Sequence, residues 1–444
     1  MPRAIAYDLT RLFLGPLSLS PRGIDRVDVA LANHFFFNSK IESLGILPTP
    51  WGIRVFNADM VRRGLDHLHH IWAERIGEGE DPHWHGLVAA LTGQGDISRP
   101  PPRRKPAGLI TKTQRMWTHL RQTGIALGRS VGTLPHGAIY VNIGQIGLAV
   151  PVFHQWLANR RDITAAFMLH DTIPLEYPQF VSPSSVTHHA RMVQTTLERA
   201  DLVITTTRHA SETIMATMAR MGRSDMPIHV RGLPLPQALG MPRSADPALA
   251  GRHYFLTCST IEPRKNHGLL IDVWRRIIAR MGAAAPHLVI VGSPGRHAET
   301  ILGEISGDPA LARHIHHVSG LSSPALGRLT LGAAAMLCPS YAEGFGLSVL
   351  EANALGVPTI ASDIASHREI ANAQTRLLPP DDRHAWEDAI MDCGPGMLRT
   401  TPTIPEAMTE AAYCHDIAAF LDNFAQTKHK GAMQDFPLRH EKRP

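Results

Sequence analysis

Short apolar runs alternate with amphipathic stretches along most of this chain, a pattern typical of α/β domains built on parallel sheets. In the first half the apolar runs predict strands at Ala4–Leu9, Ala138–Asn142, Thr164–His170 and Leu202–Thr205. A helix is predicted to begin at Gly23-Ile24-Asp25-Arg26-Val27 and to end near Phe37. The segment from Gly77 to Arg129 shows no clear period. Its run Pro100–Pro106 predicts an exposed loop, because proline disrupts regular structure.

A segment rich in proline and glycine, Leu233–Arg252, predicts a linker between two domains. The length of 444 residues favours two domains as well, since it exceeds what one hydrophobic core usually supports. After the linker, the pattern predicts strands at Tyr254–Ser259, His287–Gly292, His314–Val318, Ala335–Cys338 and Thr359–Ser362, and helices at His267–Met281, Ala298–Glu304, Pro324–Ala334 and Leu347–Leu355. We therefore expect one Rossmann-like domain over residues 1–240 and a second over 241–400, followed by a helix (Ile404–Gln426) and tail over 401–444 that pack back on the first.

Composition places the chain among ordinary globular proteins, with 44% hydrophobic and 19% charged residues. No run of 18 or more apolar residues occurs, so we expect no transmembrane helix. The four cysteines (Cys258, Cys338, Cys393 and Cys414) are scattered without metal-like pairs and predict free thiols in a reducing cytoplasm.

The charge is basic and unevenly distributed. A net charge of +5 predicts an anionic partner, such as nucleotide phosphates, a lipid phosphate or a membrane surface. From Ile97 to Arg161 there are ten Lys or Arg and no Asp or Glu. One hypothesis is that part of this stretch touches anionic lipid near an acceptor entrance, through Arg103, Arg104, Lys105, Lys112, Arg115, Trp117 and Arg121. The alternative is an ordinary solvated basic face. Nucleic acid is not expected, because aromatic residues make up only 6% and no nucleic-acid motif is present.

The strongest chemical signal is the segment Pro339–Ala352, in which a strand, a glycine-bearing loop and a helix follow one another. Ligands of doubly wound folds bind at such strand ends, and a helix N-terminus offers unpaired N–H groups to an anion. Glu343 lies in the loop and Glu351 lies eight positions further on, so we expect both carboxylates to face one crevice. Carboxylates accept hydrogen bonds without donating any, which suits sugar or ribose hydroxyls.

A second segment, Thr257–His267, repeats the order of strand, loop and helix. Its adjacent cations Arg264 and Lys265 lie beside a predicted helix N-terminus. This arrangement suits a diphosphate, which Arg binds in fork geometry while Lys acts as a point charge.

Together these segments resemble the retaining GT-B glycosyltransferases of family 4. The family pattern places two Glu residues eight positions apart around an EGFGL-type loop, after an Arg-Lys pair that follows the first strand of the second domain. The segment Ala361–Ile370 fits its continuation, whereas Gly23–Arg26 and His170–Pro178 carry weaker likeness in the first half. The nearest likeness is to bacterial mannosyltransferases of exopolysaccharide assembly. The resemblance implies an α/β protein of the GT-B type, with two doubly wound Rossmann-like domains facing each other across a cleft.

The resemblance also implies a role for each matched residue. Arg264 and Lys265 would neutralise the donor diphosphate as it leaves, Glu351 would hold the ribose, and Glu343 would contact the donor sugar. The remaining positions would act around the donor as well: His170 facing the sugar across the cleft, Gly23 admitting the phosphates, and Gly346 and Leu347 forming the helix N-terminus of the binding site. No metal or cofactor is implied, since the nucleotide-sugar donor is a co-substrate.

The function that follows is retaining transfer of a hexose, mannose from GDP-mannose, to a lipid-linked or polysaccharide acceptor at the cytoplasmic side of a membrane. Three alternatives stay open at this point: a UDP-sugar-dependent hexosyltransferase, a GT-B epimerase, and a non-catalytic module that binds nucleotide-sugar. A nicotinamide-dependent oxidoreductase is not favoured, because no G-x-G-x-x-G follows the first strand of either half.

Overall fold

The computed structural model describes residues 3–14, 23–76, 81–95, 128–235, 244–394 and 405–429, with the side chains of residues 71–76, 82 and 429 left out. The described strands are β1 (Ile5–Asp8), β2 (Ser43–Thr49), β3 (Gly52–Phe56), β4 (Arg129–Ser130), β5 (Ile139–Asn142), β6 (Thr164–Met168), β7 (Leu202–Thr205), β8 (Ile228–Val230), β9 (Tyr254–Cys258), β10 (His287–Val291), β11 (Ile315–Val318), β12 (Met336–Cys338), β13 (Thr359–Ser362) and β14 (Thr375–Leu378).

The described α-helices are α1 (Thr10–Leu14), α2 (Ile24–Asn33), α3 (Ala58–Ile76), α4 (Pro82–Thr92), α5 (Ile173–Glu176), α6 (Pro183–Arg199), α7 (Arg208–Arg220), α8 (His267–Met281), α9 (Ala298–Gly307), α10 (Pro309–His314), α11 (Ser323–Gly332), α12 (Leu347–Ala354), α13 (Ala365–Ile370), α14 (Arg383–Asp392) and α15 (Glu410–His429). None of them is both long enough and apolar enough to cross a lipid bilayer.

The strands form two sheets, one in each half of the chain. The first has the order β4-β3-β2-β1-β5-β6-β7-β8, and the second has the order β11-β10-β9-β12-β13-β14. Pairing is parallel throughout the second sheet, whereas β3 and β4 pair antiparallel at the edge of the first. Each sheet starts from a central strand and winds outward in both directions, so each has a switch point where ligands of such folds bind.

Burial explains why the second half was the more predictable one. Strand β9 is buried almost along its whole length, as expected for a parallel strand covered by helices on both faces. Helix α8 buries one face against it, with Trp274 and Ile277 fully enclosed. The described bounds of α8 match the prediction.

Helix α15 returns from the second half of the chain to the first. Asp416 accepts a hydrogen bond from His229 Nε2 at 3.2 Å, and the ring of that histidine stacks on Phe420 at a centroid distance of 3.8 Å. Lys428 forms an ion pair of 2.7 Å with Asp201. These contacts attach the C-terminal helix to the first sheet rather than to the second.

Several elements were missed or shortened by the sequence prediction. The antiparallel pair β2 and β3 and the edge strand β14 were not predicted, and α4 lies in the segment that showed no clear period. Helix α2 ends at Asn33, and the chain continues to Asn38 as a wider π-helical turn, close to the predicted end at Phe37. The proposed basic lipid-contacting residues and the Pro100–Pro106 run lie outside the described residues.

Candidate active site in the cleft between the two sheets

A cleft of about 290 Å³ lies where the carboxyl ends of the central strands of both sheets meet. Strands β9 and β12 are neighbours in the second sheet, so the loops that follow them converge. This register explains why Arg264 and Lys265 share one wall with Glu343, which lies 79 and 78 positions further along the chain. Residues predicted from the sequence line the cleft as follows: Gly23, His170, Arg264, Lys265, Glu343, Gly346 and Leu347.

The cations of the β9 loop are bound to the acid of the β12 loop. Arg264 Nη1 lies 2.9 Å from Glu343 Oε2, and Lys265 Nζ contacts the other oxygen, Glu343 Oε1. Ser340 Oγ donates to Glu343 Oε1 at 2.7 Å. Arg264 also donates to the carbonyl of Ala342 at 2.6 Å and pairs with Glu262 at 2.8 Å. The guanidinium and ammonium groups are therefore held at fixed positions in the wall of the cleft.

These contacts decide the charge state of the cluster. Burial alone raises the pKa of Glu343, but the charges of Lys265 and Arg264 outweigh it and hold that pKa well below its usual range. Burial acts to lower the pKa of Arg264, and Glu343 and Glu262 offset it, so the guanidinium keeps its proton with a raised pKa. The carboxylate of Glu343 is therefore fully ionised at neutral pH where it contacts Arg264 and Lys265.

His170 and Asp171 face this cluster from the end of β6. His170 is buried, its Nε2 lies 3.4 Å from the carbonyl oxygen of Ile143, and burial lowers its pKa to about 4. The imidazole is therefore neutral at physiological pH and interacts as a hydrogen-bonding group rather than as a charge. Burial also raises the pKa of Asp171, which accepts a hydrogen bond from the amide of Ile173 at 3.1 Å.

Glu351 takes a different position from the one expected. It lies one turn into α12, where its Oε1 forms an ion pair of 2.6 Å with Arg26 Nη1 from the opposite half of the chain. Both side chains are largely buried, with 13% and 16% exposure. Glu351 is not among the residues that line the cleft, whereas Gly23 and Ile24, at the start of the helix that carries Arg26, are. The two predicted carboxylates thus have separate cationic partners.

At two positions in the cleft the backbone has a positive φ, which favours glycine. Gly346 caps α12 with φ of +101°, and a Cβ at this position would lie 2.9 Å from the ring of His367. Gly23 precedes α2 with φ of +51°, although the space around it is open. Both positions therefore favour glycine, and both expose a helix N-terminus toward the cleft.

The two halves of the chain are joined beside the cleft by hydrogen bonds that sequence reasoning did not identify. The hydroxyls of Thr206 and Thr207 donate to the carbonyl of Gly344 at 3.1 and 3.2 Å. Glu369 accepts from the backbone amides of Arg208 and His209 at 2.9 and 2.8 Å. A carboxylate at the start of α7 is favourable, because the helix dipole places partial positive charge there.

Within the described ranges, no group of three or more His, Cys, Asp or Glu side chains has an arrangement that could hold a metal ion.

Known proteins resemble this chain in one segment of its sequence and in its overall fold. Residues 252–393 match the family described as Glycosyl transferases group 1. A solved trehalose 6-phosphate synthase from Burkholderia multivorans superposes with a TM-score of 0.55 at 13% identity, covering 99% of this chain and 100% of its own. The HepE protein of Anabaena, solved in complex with UDP and glucose, superposes with a TM-score of 0.54 at 15% identity over 97% of this chain and 99% of its own.

The protein therefore has the GT-B fold, with two Rossmann-like domains, and the second contains the segment that matches the family Glycosyl transferases group 1. It resembles bacterial mannosyltransferases: WbdA of Escherichia coli is 26% identical over 239 residues, which are 50% of this chain and 27% of WbdA. The O-antigen chain mannosyltransferase B of Escherichia coli is 23% identical over 222 residues, 49% of this chain and 58% of that protein. The chain thus spans about a quarter of the length of WbdA. The predicted fold class and resemblance are confirmed.

Proposed function

We propose that this protein is a retaining glycosyltransferase that moves a hexose from a nucleotide-sugar donor to a lipid-linked or polysaccharide acceptor. The observation that carries the proposal is the cationic pair Arg264–Lys265, held by Glu343 at the switch point of the second sheet. A diphosphate is the anion that best suits two adjacent cations beside helix N-termini. Mannose from GDP-mannose is the proposed donor, because the relatives named above are mannosyltransferases.

In this mechanism the cations act on the leaving group. Negative charge grows on the diphosphate as the glycosidic bond breaks, and Arg264 and Lys265 already stand in position to stabilise it. No metal or cofactor is part of the proposal, since these side chains and the N-terminus of α12 carry the positive field. The neutral imidazole of His170 would hydrogen-bond a donor-sugar hydroxyl from the opposite wall.

Glu351 is proposed to bind the ribose of the donor. Its carboxylate pairs with Arg26, so ribose binding would exchange one hydrogen-bonding partner for another. Gly346 and Leu347 would present the backbone amides of α12, and Gly23 those of α2. The acceptor is proposed to meet the protein at the cytoplasmic face of the membrane, on the strength of the acid-free basic stretch.

The test is titration of the purified chain with GDP and UDP in EDTA, followed by transfer assays with a panel of nucleotide-sugars. We expect nucleoside diphosphate to bind without divalent cation and GDP-mannose to be consumed. If GDP binds more tightly than UDP, the GDP-sugar assignment is supported. The reverse order would favour a UDP-sugar hexosyltransferase. Binding without any transfer or donor hydrolysis would favour the non-catalytic module, and binding only with added metal would contradict the metal-free mechanism.

A further inference from the structure

A second cavity of about 200 Å³ adjoins the cleft on the side of β13. Asp171, Glu343 and Gly344 line both spaces, so the partition between them is narrow. At Gly344 a Cβ would lie 2.8 Å from Asp171 Oδ2 and 3.2 Å from the carbonyl oxygen of His170. The absence of a side chain at this position allows the two cavities to approach each other closely.

The two cavities differ in charge. Arg264 and Lys265 line the main cleft, whereas no Lys or Arg is found among the described residues around the second cavity. Besides Asp171 and Glu343, which line both spaces, its polar groups include one further acid, Glu176, and the hydroxyl of Thr213. A phosphate would be repelled by such a lining, while the hydroxyls of a neutral sugar are the donors that carboxylates accept.

Aromatic rings complete the second cavity. Tyr177 from the first domain and Tyr341 from the second both line it. Phe180 lies between them, stacked on Tyr341 at 5.4 Å and on Tyr177 at 6.1 Å between ring centroids. Tyr341 is 36% exposed and therefore reaches solvent at the rim. An aromatic ring offers an apolar face to the C–H bonds of a pyranose, while a tyrosine hydroxyl remains available at the edge.

Size restricts the ligand further. At about 200 Å³ the second cavity is smaller than the main cleft of about 290 Å³, so it suits a ligand smaller than the donor, such as a single sugar ring. We propose that this second cavity is a carbohydrate subsite that holds one neutral pyranose unit of the acceptor beside the donor cleft. The proposal rests on the proposed function for the identity of the acceptor, but the binding of a free sugar can be tested without transfer.

The experiment is saturation-transfer NMR with methyl α-D-mannopyranoside on the full chain in EDTA, with and without saturating GDP to fill the donor cleft. We expect sugar signals that persist when GDP is bound. Tyr177→Ala and Glu176→Gln should each lower the affinity for the sugar by about tenfold, which is the scale of one aromatic or charge-assisted contact. The affinity for GDP should not change in either variant. Tyr341→Ala is a further variant with an exposed side chain that the fold tolerates most readily.

Matched controls remove the same chemistry elsewhere. Glu212→Gln deletes an exposed acid on α7 outside the cavity, and Trp51→Ala deletes an exposed aromatic in the turn between β2 and β3. Both should leave the sugar signals at the wild-type level. If GDP abolishes the sugar signals, or if the signals survive in all three cavity variants, the proposed carbohydrate subsite is wrong. Neither result would contradict the proposed donor site. Loss of GDP binding in the wild-type chain would instead overturn the proposed function.

Discussion

Replacing Glu343 by Gln tests how the cluster of Arg264, Lys265 and Glu343 balances its charges. In the structure this carboxylate contacts both Arg264 and Lys265, and its side chain is only 12% exposed. The substitution keeps the shape of the side chain and removes one negative charge. It leaves two cations facing the position proposed for the donor diphosphate.

The expected effect on nucleotide binding is a gain. A unit charge about 6 Å from a phosphate contributes about 3 kcal/mol at an effective dielectric constant of about 20. Solvent in the cleft screens this gain in binding free energy, and Arg264 and Lys265 are held less firmly once the carboxylate is gone. We therefore expect GDP to bind about three- to tenfold more tightly to Glu343→Gln. Turnover should fall about ten- to hundredfold, because the contact proposed with the donor sugar is lost.

Stability should move in the opposite direction. Removing one partner of a fully buried ion pair costs about 3–5 kcal/mol, and partial exposure to the cleft reduces the expected loss to about 2 kcal/mol. Saturating GDP should restore much of the lost free energy of unfolding, because a ligand that binds only the native state stabilises that state. Thermal unfolding with and without GDP measures this directly.

Glu262→Gln is the matched control. It removes a carboxylate that also pairs with Arg264, at 2.8 Å, but it is 30% exposed and does not line the cleft. Its effects on GDP affinity and turnover should stay within about threefold. The assays are isothermal titration and steady-state kinetics, with circular dichroism to verify folding. If folded Glu343→Gln binds GDP tenfold more weakly than the wild type, the carboxylate organises the cations more than it opposes the phosphates, and the charge argument is refuted.

Two further predictions concern the ion pair of Arg26 with Glu351 and a pair of histidines, His287 of β10 and His316 of β11, that does not line the cleft. Arg26→Ala should increase the affinity for GDP by about threefold, because ribose no longer competes with Arg26 for Glu351. Glu351→Gln should raise the donor KM by about tenfold. Donor binding that is weakened equally in both variants, by calorimetry and by kinetics, would contradict this prediction. The free energy of unfolding should fall as the pH is lowered from 6.5 to 4. Burial lowers the pKa of His287 and of His316 to about 4, so the unfolded chain binds more protons than the native chain in that window. Their rings are 2.9 Å apart between Nδ1 and Nε2, and His316→Gln should remove about 2 kcal/mol of the acid-induced loss, measured by urea unfolding at pH 7 and pH 5.

Local sequence patterns predicted the centre of the second domain well because β9, β10, β12 and β13 are short strands that are buried almost throughout. Strand β13 and helix α8 have the predicted bounds, and β9 differs by one residue. Each strand end then locates a loop, and the parallel register of β9 and β12 brings two of those loops together. The prediction that Arg264, Lys265 and Glu343 share one site depended only on that register.

The first domain was harder because packing overrides local signals there. Strand β2 contains Gly45 and Pro48, which both weaken a strand pattern. The structure explains the glycine, since a Cβ at position 45 would lie 2.5 Å from Leu9 and 2.6 Å from Val61. Helix α4 did carry a usable signal: Asp81 caps its amides, Pro82 follows at the first turn, and the left-handed Gly93 ends it.

The partners of the site residues could not be predicted from local patterns, because the fold joins segments that are far apart in the chain. Arg26 and Glu351 are separated by 325 positions, and each alone has the sequence appearance of a solvated helical charge. Glu369 likewise lies in an ordinary short helix, α13, yet it caps the amides at the start of α7 across the cleft. Both pairs connect the two domains beside the proposed donor site. If the donor ribose displaces Arg26 from Glu351, as proposed, donor binding would alter one of these connections, and the exchange of a single ion pair would link it to the relative position of the domains.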